Sequence, residues 1–351
     1  MTARAYESLD AALDWLAHFG PELANGFTSH APMVAETLCA LGRPEAVRPW
    51  LERARPELTA RPEARAPLAP ADWLTALGRS ERTADWMALL RAELAAEPWR
   101  PVLRRWLVRL MPGFCADALH GAIRVAHAVR ALGVADTAPR RRELADALGA
   151  WAAAYQTLPV PERRGAGCLA PQEALARVPV QPEAERGFRG SIVSALAGLA
   201  GFDAFAPVID WIDPDEAHER TISALSHAFA TAYLANAHDP LRAIVFVHGI
   251  TSMAALRALV PHLDASEARE LIRFAWQAGA ALQASFGRAL ASPGPVAPPR
   301  EGPDALIELA LSNGDDHAIK CTEACLAEHA RRPSAVYLAA ARHAIGMLGP
   351  R

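Results

Sequence analysis

The sequence contains almost no lysine. Its 351 residues include 36 lysines and arginines together, and Lys320 is the only lysine among them. A compositional bias towards arginine explains why lysine is scarce, but it does not explain where the remaining lysine stands. Lys320 follows His317 by three residues in the segment "DDHAIK". The question is what an amine does at this position that a guanidinium group cannot do.

The sequence also lacks the patterns of several classes of protein. The formal net charge is -3, and no basic block carries the interleaved aromatic residues typical of nucleic-acid binding, so we expect no nucleic-acid partner. The five cysteines are odd in number, scattered, and without a CxxC pair. This pattern argues against a disulfide framework and a structural zinc site, and it fits a reducing cytoplasm.

No export signal or membrane span is predicted. Glu7, Asp10 and Asp14 interrupt the N-terminal segment "MTARAYESLDAALDWLAHFG", which indicates an amphipathic first helix. The apolar segment "SIVSALAGLAGFDAFAPVIDWI" is broken by Gly201 and Pro207 before it reaches the roughly 20 residues that cross a bilayer. We therefore predict a soluble, cytoplasmic protein without a membrane partner.

Most of the chain has apolar residues at helical spacing, and 52% of its residues are hydrophobic. Ala, Leu, Arg and Glu, which favour helices, fill these segments. The pattern predicts an all-α fold, an irregular multi-helix array. Helices are predicted near 30–41, 44–54, from Pro112 and Gly113 to Gly133, and near 80–95, 98–111, 139–155, 214–235, 240–261, 265–290, 301–312, 315–330 and 334–348.

Strand competes with helix only in "RAIVFVHGITS", where several residues are β-branched. The proline before this segment and the helical pattern after it favour helix. The proline-dense stretches near 56–70, 158–184 and 292–303 are predicted to be loops. We predict one domain over residues 1–351, with two lobes meeting near 160–185 as the alternative.

Four of the twelve histidines stand in or at the start of predicted helices, beside small residues: His30, His120, His248 and His317. Any one of them alone is more often a core or capping histidine than a ligand. Together they predict a histidine-rich metal site between helices, because imidazole suits iron, copper, zinc and nickel.

His317 and Lys320 share one helix face. A buried lysine can lose its proton, whereas arginine stays charged. The neutral amine can act as a base or nucleophile, or react with carbon dioxide to give a carbamate with an anionic oxygen ligand. His317 and Lys320 are therefore the candidate catalytic residues. The alternative is an exposed lysine near a helix start.

Four segments resemble the questin oxidase-like family, whose fungal members oxidise and open anthraquinone-type rings. They occur in the expected order and read "SHAPMVAETLCALGRPEAVRPWLERAR", "LHGAIRVAHAVRALG", "FVHGITSMAALRALVPHL" and "DDHAIKCTEACLAEHARRPSAVYLAAARHA". The resemblance implies a non-haem Fe(II) centre that acts with dioxygen and is held by histidines and a carboxylated lysine. By position the implied metal ligands are His30, His120, His248, His317 and Lys320.

The resemblance also bears on the surroundings of these ligands. Arg124 and His127 lie on the same predicted helix as His120 and are expected beside the ligands, while Ser29 stands where the family has asparagine. The carbamate requires carbon dioxide. Some family members are Baeyer-Villiger-type monooxygenases that use NADPH, but no GxGxxG follows a strand here. No cofactor-binding residue is therefore assigned.

The predicted function is an iron-dependent oxygenase, either a dioxygenase or a Baeyer-Villiger-type monooxygenase, with a small aromatic polyketide-like substrate. One alternative is a non-enzymatic helical binding protein with structural histidines, and another is a zinc hydrolase using the same pocket. Cys321 and Cys325, one turn apart, offer a further alternative as a soft metal site with His317. His18, His218, His238 and His343 are predicted not to be ligands, and His227 is left open.

Overall fold

The computed structural model describes residues 3–162, 165, 167–214, 218–288 and 296–349. The fold is all-α apart from one two-stranded sheet, as predicted. The chain divides into two compact units. The first unit comprises the chain up to Leu110 together with His120–Tyr155, and the second comprises Met111–Leu119 and the chain from Gln156 onwards. The single-domain assignment stays a prediction.

The first unit contains eight α-helices within the described residues. In chain order they are α1 Glu7–Leu16, α2 Ala31–Ala40, α3 Val47–Ala54, α4 Trp73–Ala76, α5 Thr83–Ala96, α6 Trp99–Leu110, α7 His120–Val134 and α8 Ala138–Ala153. Two short antiparallel strands, β1 Phe19–Leu23 and β2 Leu58–Ala60, pair Phe19 with Ala60 and Leu23 with Leu58.

Fully buried tryptophans form the core of the first unit. Trp86, Trp106 and Trp151 are all inaccessible to solvent. Trp151, on α8, lies directly against Gly121 of α7, and a Cβ added to Gly121 would lie only 2.5 Å from the indole ring. The missing side chain of Gly121 therefore allows α7 and α8 to pack closely beside His120.

The second unit contains the remaining α-helices. They are α9 Pro171–Arg177, α10 Ile192–Ala197, α11 His218–Asn236, α12 Pro240–Leu259, α13 Ala265–Phe286, α14 Pro303–Asn313, α15 Asp316–Arg331 and α16 Ala335–Met347. Phe229 of α11 packs against Gly249 and Gly279, where an added Cβ would lie 3.0 and 2.4 Å from the phenyl ring. These two glycines allow α12 and α13 to pack closely against α11.

The helix predicted over "RAIVFVHGITS" is confirmed, and the start of α15 has a similar local cause. The segment "RAIVFVHGITS" is helical and lies within α12, which begins at Pro240 after the capping residue Asp239. Asp315 caps α15: its Oδ1 accepts hydrogen bonds from the backbone N–H groups of His317 and Ala318, both at 2.9 Å. A proline start and an acidic cap therefore outweigh the β-branched residues of α12.

The helix predicted to follow Pro112 and Gly113 and to end at Gly133 starts later than predicted. Met111–Gly113 and Ala116–Leu119 form 3-10 turns instead, and α7 begins only at His120. Asp117, Ala118 and Leu119 have φ angles of 51°, 54° and 72°. This left-handed backbone cannot continue a right-handed helix, so the helix starts after it.

The proline-rich stretches are not entirely loops. The stretch near 56–70 contains β2, and the stretch near 158–184 contains α9 and a 3-10 turn at Glu183–Glu185. Proline at the first or second position of a helix needs no N–H partner there, which explains how Pro171 begins α9. Residues 215–217 and 289–295, which carry part of the predicted boundaries, lie outside the described residues.

One described helical segment, Pro240–His262, has the length and apolar composition of a membrane span, but 72% of its apolar window is buried inside the protein. Such burial is typical of the core helix of a soluble protein. The segment singled out in the sequence bends by 101° between Ile192–Gly201 and Asp203–Asp210. The cytoplasmic location stays a prediction.

Candidate metal centre

His30 and His120 form a buried pair in the first unit. His30 directly precedes α2 and His120 is the first residue of α7. Their Nε2 atoms lie 2.7 Å apart, and the ring centroids are separated by 4.6 Å with a tilt of 44°. Residues far apart in the sequence thus bring the same atom of two imidazoles together.

The backbone determines where both rings lie. Ala31 and Pro32 start α2, so His30 occupies the capping position just outside the helix. The left-handed run Asp117–Leu119 ends immediately before His120, and Gly121 then packs against Trp151. Each histidine therefore stands where a helix begins, at a point fixed by main-chain geometry.

A separation of 2.7 Å between two ring nitrogens allows only a few protonation states. In a direct hydrogen bond, one Nε2 must carry a proton and the other a lone pair. If both Nε2 atoms carry lone pairs, a cation is required to relieve their repulsion. The pair is thus chemically suited to a transition-metal ion, for which neutral imidazole is a preferred ligand.

Glu36 of α2 is a buried carboxylate that the sequence analysis missed. Its Oε1 accepts a hydrogen bond from the Tyr6 hydroxyl at 2.6 Å, and its Oε2 contacts Nδ1 of His127 at 2.6 Å and the guanidinium of Arg130. Burial raises the pKa of Glu36, but Arg130 and His127 outweigh this effect and lower the pKa to about 2. Glu36 is therefore ionised, and His127 donates its Nδ1 proton to it.

These contacts show that α2 and α7 run in parallel. His30 meets His120 at the start of both helices, and Glu36 meets His127 further along both. Arg124, between His120 and His127 on α7, forms a bidentate ion pair with Glu143 of α8, with distances of 2.7 and 2.9 Å. Buried ion pairs thus surround the first histidine pair, and Arg124 and His127 both belong to them.

His248 and His317 form a second buried pair, in the second unit. Their ring centroids lie 5.2 Å apart and the rings are tilted by 70°. Nδ1 of His248 lies 2.7 Å from the carbonyl oxygen of Ile244, and Nδ1 of His317 lies 2.6 Å from a carboxylate oxygen of Asp316. The Ile244 contact favours a proton on Nδ1 of His248, so Nε2 of His248 carries the lone pair that a metal ion requires.

Lys320 is buried on α15, one turn after His317, with 3% of its surface exposed. The alternative of an exposed lysine at a helix start is therefore wrong. Burial disfavours the charged form of an amine, since the charge must leave water. The structure thus places the only lysine in the environment that the carbamate hypothesis needs, although carboxylation itself stays a prediction.

The cysteine alternative receives no support from the described residues. Cys321 and Cys325 have their Sγ atoms 4.0 Å apart, but they form no group with His317 in which all ligand atoms lie within 4.8 Å. The hydrogen bond with Cys321 and burial raise the pKa of Cys325 well above its usual value. A protonated thiol is a poor metal ligand.

The other histidines have separate surroundings. His18 and His238 are exposed, and His343 contacts the Tyr233 hydroxyl. His227 stacks edge-on against Tyr337, with 6.0 Å between ring centroids. That His18, His218, His238 and His343 bind no metal stays a prediction, and His227 is left open.

The fold and the two buried histidine pairs define a helical protein whose interior contains imidazole groups that could hold a metal ion. Residues 27–325 match the family described as Questin oxidase-like, and the chain belongs to that family. The match includes all five predicted ligands, and membership implies an oxidoreductase, as the sequence analysis predicted. No curated protein matches the chain.

Proposed function

We propose that this protein is a non-haem iron-dependent oxygenase that uses dioxygen to cleave, or insert oxygen into, an aromatic polyketide-like ring. The proposed ligands are His30, His120, His248, His317 and the carboxylated Lys320. The single observation that carries the proposal is the contact of 2.7 Å between the Nε2 atoms of the buried His30 and His120. Membership of the questin oxidase-like family supports it independently.

The donor set fits iron. Imidazole nitrogen suits iron, and a carbamate adds a hard, anionic oxygen. His248 and His317 have the Nδ1 contacts that orient ligand histidines in metalloproteins. The low exposure of all five side chains keeps bulk water away from the site.

Iron, when bound, supplies the redox chemistry that makes dioxygen reactive. The protein's own residues perform the supporting tasks. The carbonyl of Ile244 holds a proton at Nδ1 of His248, which keeps its Nε2 basic, and the Asp316 carboxylate lies beside Nδ1 of His317. Glu36 and Arg130 hold the His127 ring on the same side of α7 as His120, about two turns along.

The proposed substrate is a flat, hydroxylated aromatic molecule, such as a reduced hydroxyanthraquinone. Its class comes from the family, whose name refers to oxidation of questin. Among described residues no nucleotide-binding turn is found beside the two short strands. NADPH stays a candidate source of reducing equivalents, and no residue is assigned to bind it.

Metal analysis and oxygen uptake test the proposal together. Protein purified without added metal is assayed for iron and zinc, and oxygen consumption is then followed with a series of hydroxyanthraquinols. We expect iron to predominate and oxygen uptake to require it. His238→Ala is the control, because His238 is exposed. Zinc with no oxygen uptake would favour the hydrolase, and no transition metal under any loading condition would favour a binding protein.

A further inference from the structure

Tyr233 is a buried phenol with a single polar partner. It lies on α11, is fully inaccessible to solvent, and its hydroxyl lies 3.0 Å from Nδ1 of His343 on α16. The two rings meet edge to face, with centroids 5.5 Å apart and an angle of 79°. His343 is only partly buried, so the pair leads from the core towards the surface of the second unit.

The thiols of Cys321 and Cys325 lie near this phenol. Burial and then the two thiols raise the pKa of Tyr233, so the phenol does not ionise on its own in the physiological range. Burial lowers the pKa of His343, so its ring is neutral at neutral pH and can accept a proton. Tyr233 can therefore lose its proton only to His343.

We propose that Tyr233 and His343 form a redox-active pair. Tyr233 gives one electron to a one-electron oxidant, and its phenolic proton moves to Nδ1 of His343, which leaves a neutral tyrosyl radical beside an imidazolium ion. A soluble one-electron reductant, such as ascorbate or a thiol, returns the electron, and His343 returns the proton. The coupled transfer avoids a charged phenol in the core, where an unpaired charge is costly.

In the proposed oxygenase, iron held by the proposed ligands would supply the one-electron oxidant when dioxygen reacts there without substrate. This role rests on the proposed function. Helix α15 connects the proposed iron site with the Tyr233–His343 pair. It carries the proposed ligands His317 and Lys320, and Cys321, which lies near Tyr233, is next in the chain. The pair thus diverts oxidising equivalents away from the metal ligands.

The chain offers a matched control. Tyr337 on α16 is also buried and lies edge-on to a histidine, His227, with ring centroids 6.0 Å apart and an angle of 88°. No hydrogen bond joins these two residues in the described part of the chain. Tyr337 resembles Tyr233 in burial and ring contact but lacks the proton acceptor.

Photo-oxidation tests the pair without relying on iron. The full-length protein as purified is illuminated with a ruthenium sensitiser and an electron acceptor, frozen, and examined by electron paramagnetic resonance. We expect a tyrosyl signal in the wild type that narrows with ring-deuterated tyrosine, is lost in Tyr233→Phe and His343→Phe, and persists in Tyr337→Phe. An undiminished signal in Tyr233→Phe or His343→Phe, or no tyrosyl signal in the wild type, overturns the proposal.

A second measurement tests the protective role. Iron-loaded protein is kept with oxygen and a reductant but no aromatic substrate, and its remaining activity is followed. We expect Tyr233→Phe to start at the wild-type rate and to lose activity faster. Equal lifetimes exclude protection. A wild type without iron or oxygen uptake refutes the proposed function, while the photo-oxidation result still decides whether the pair is redox-active.

Discussion

The two histidine pairs are held in different ways. His30 and His120 touch through their Nε2 atoms, and main-chain geometry at two helix starts places them. The rings of His248 and His317 lie further apart, His248 well inside α12 and His317 in the first turn of α15, and each Nδ1 contacts an oxygen atom, of Ile244 and Asp316 respectively. The first pair is therefore positioned by backbone shape, and the second by contacts of the rings themselves.

The pairs nevertheless share one architectural feature. In each unit two helices run in parallel from the histidine pair to a buried glutamate held by arginine. In the first unit this is Glu36 with Arg130, and in the second it is Glu328 of α15 with Arg257 of α12, a bidentate pair with both distances 2.9 Å. Breaking a buried ion pair is costly, so each glutamate–arginine pair stabilises the packing of the two helices that it joins.

Substitution of Lys320 should give the largest effect. If Lys320 is carboxylated, Lys320→Arg should lose iron and oxygenase activity as completely as Lys320→Ala, because guanidinium cannot form the carbamate. Lys320→Glu should recover some iron but little turnover, since a site tolerates only about 0.5 Å of misplacement. Iron analysis and oxygen uptake measure both results.

Bicarbonate provides the control for the lysine prediction. Added during iron reconstitution, it should raise wild-type activity and leave the Lys320 variants unchanged, and a crystal structure should show a carboxylate on the amine. Full iron and full activity in Lys320→Arg would mean that the lone lysine is only a result of compositional bias.

Removing one imidazole from each pair tests whether both pairs bind the same ion. His30→Ala and His248→Ala should each lower iron content strongly while circular dichroism stays helical, because an extensive apolar core rather than the ion holds the fold. Iron per chain is measured for both variants and for the control His238→Ala. If His248→Ala retains full iron, the second pair does not belong to the site.

Glu36→Gln tests how much the Glu36 carboxylate stabilises the helices that carry His30 and His120. The variant should lower the free energy of unfolding by about 3 kcal/mol at pH 7, because it leaves Arg130 and His127 without their anion. The pKa of Glu36 is about 2, below its ordinary value of 4.5, so its contribution is present above pH 4.5 and disappears as the pH falls towards 2.

Urea unfolding of the wild type and Glu36→Gln at several pH values measures this contribution. The difference between the two proteins should shrink between pH 4.5 and 2. A difference that stays constant over this range would show that the pKa of Glu36 is not lowered in the folded protein. Glu328→Gln, in the other unit, serves for comparison.

Two glycines of α7 give the smallest predicted effects, with opposite signs. Gly121→Ala should destabilise by about 1–3 kcal/mol, because the new Cβ would meet Trp151 at 2.5 Å. Gly133→Ala, where nothing lies within 4 Å, should stabilise by about 0.5–1 kcal/mol. Thermal unfolding of both variants tests this, and a stabilising Gly121→Ala would contradict the close packing beside His120.

Much of the fold could be predicted because its signals are local. Helical periodicity, the proline that begins α12 and the cap at Asp315 each depend on a few neighbouring residues. The start of α7 could not be predicted in this way. Asp117, Ala118 and Leu119 adopt positive φ without a glycine among them, so packing with distant segments must impose that backbone.

The candidate site could also be predicted only in part from the sequence. The lone lysine and the histidines beside small residues are visible in the sequence, and each pair forms in the structure. Glu36 was missed because one charge in a helical pattern usually faces solvent. A signal did exist: Glu36 is the only charged residue in α2, where every residue from Ala31 to Cys39 is buried.

The segment Met111–Leu119 has a consequence for synthesis on the ribosome. It leaves the exit tunnel before α7 and α8, yet it packs against α10 and α13, which are translated much later. A nascent chain that ends at Tyr155 therefore has every residue of the first unit but displays Met111, Phe114 and Leu119, which are buried in the finished protein. This apolar stretch is where a chaperone should bind the growing chain, and where a truncated chain should aggregate.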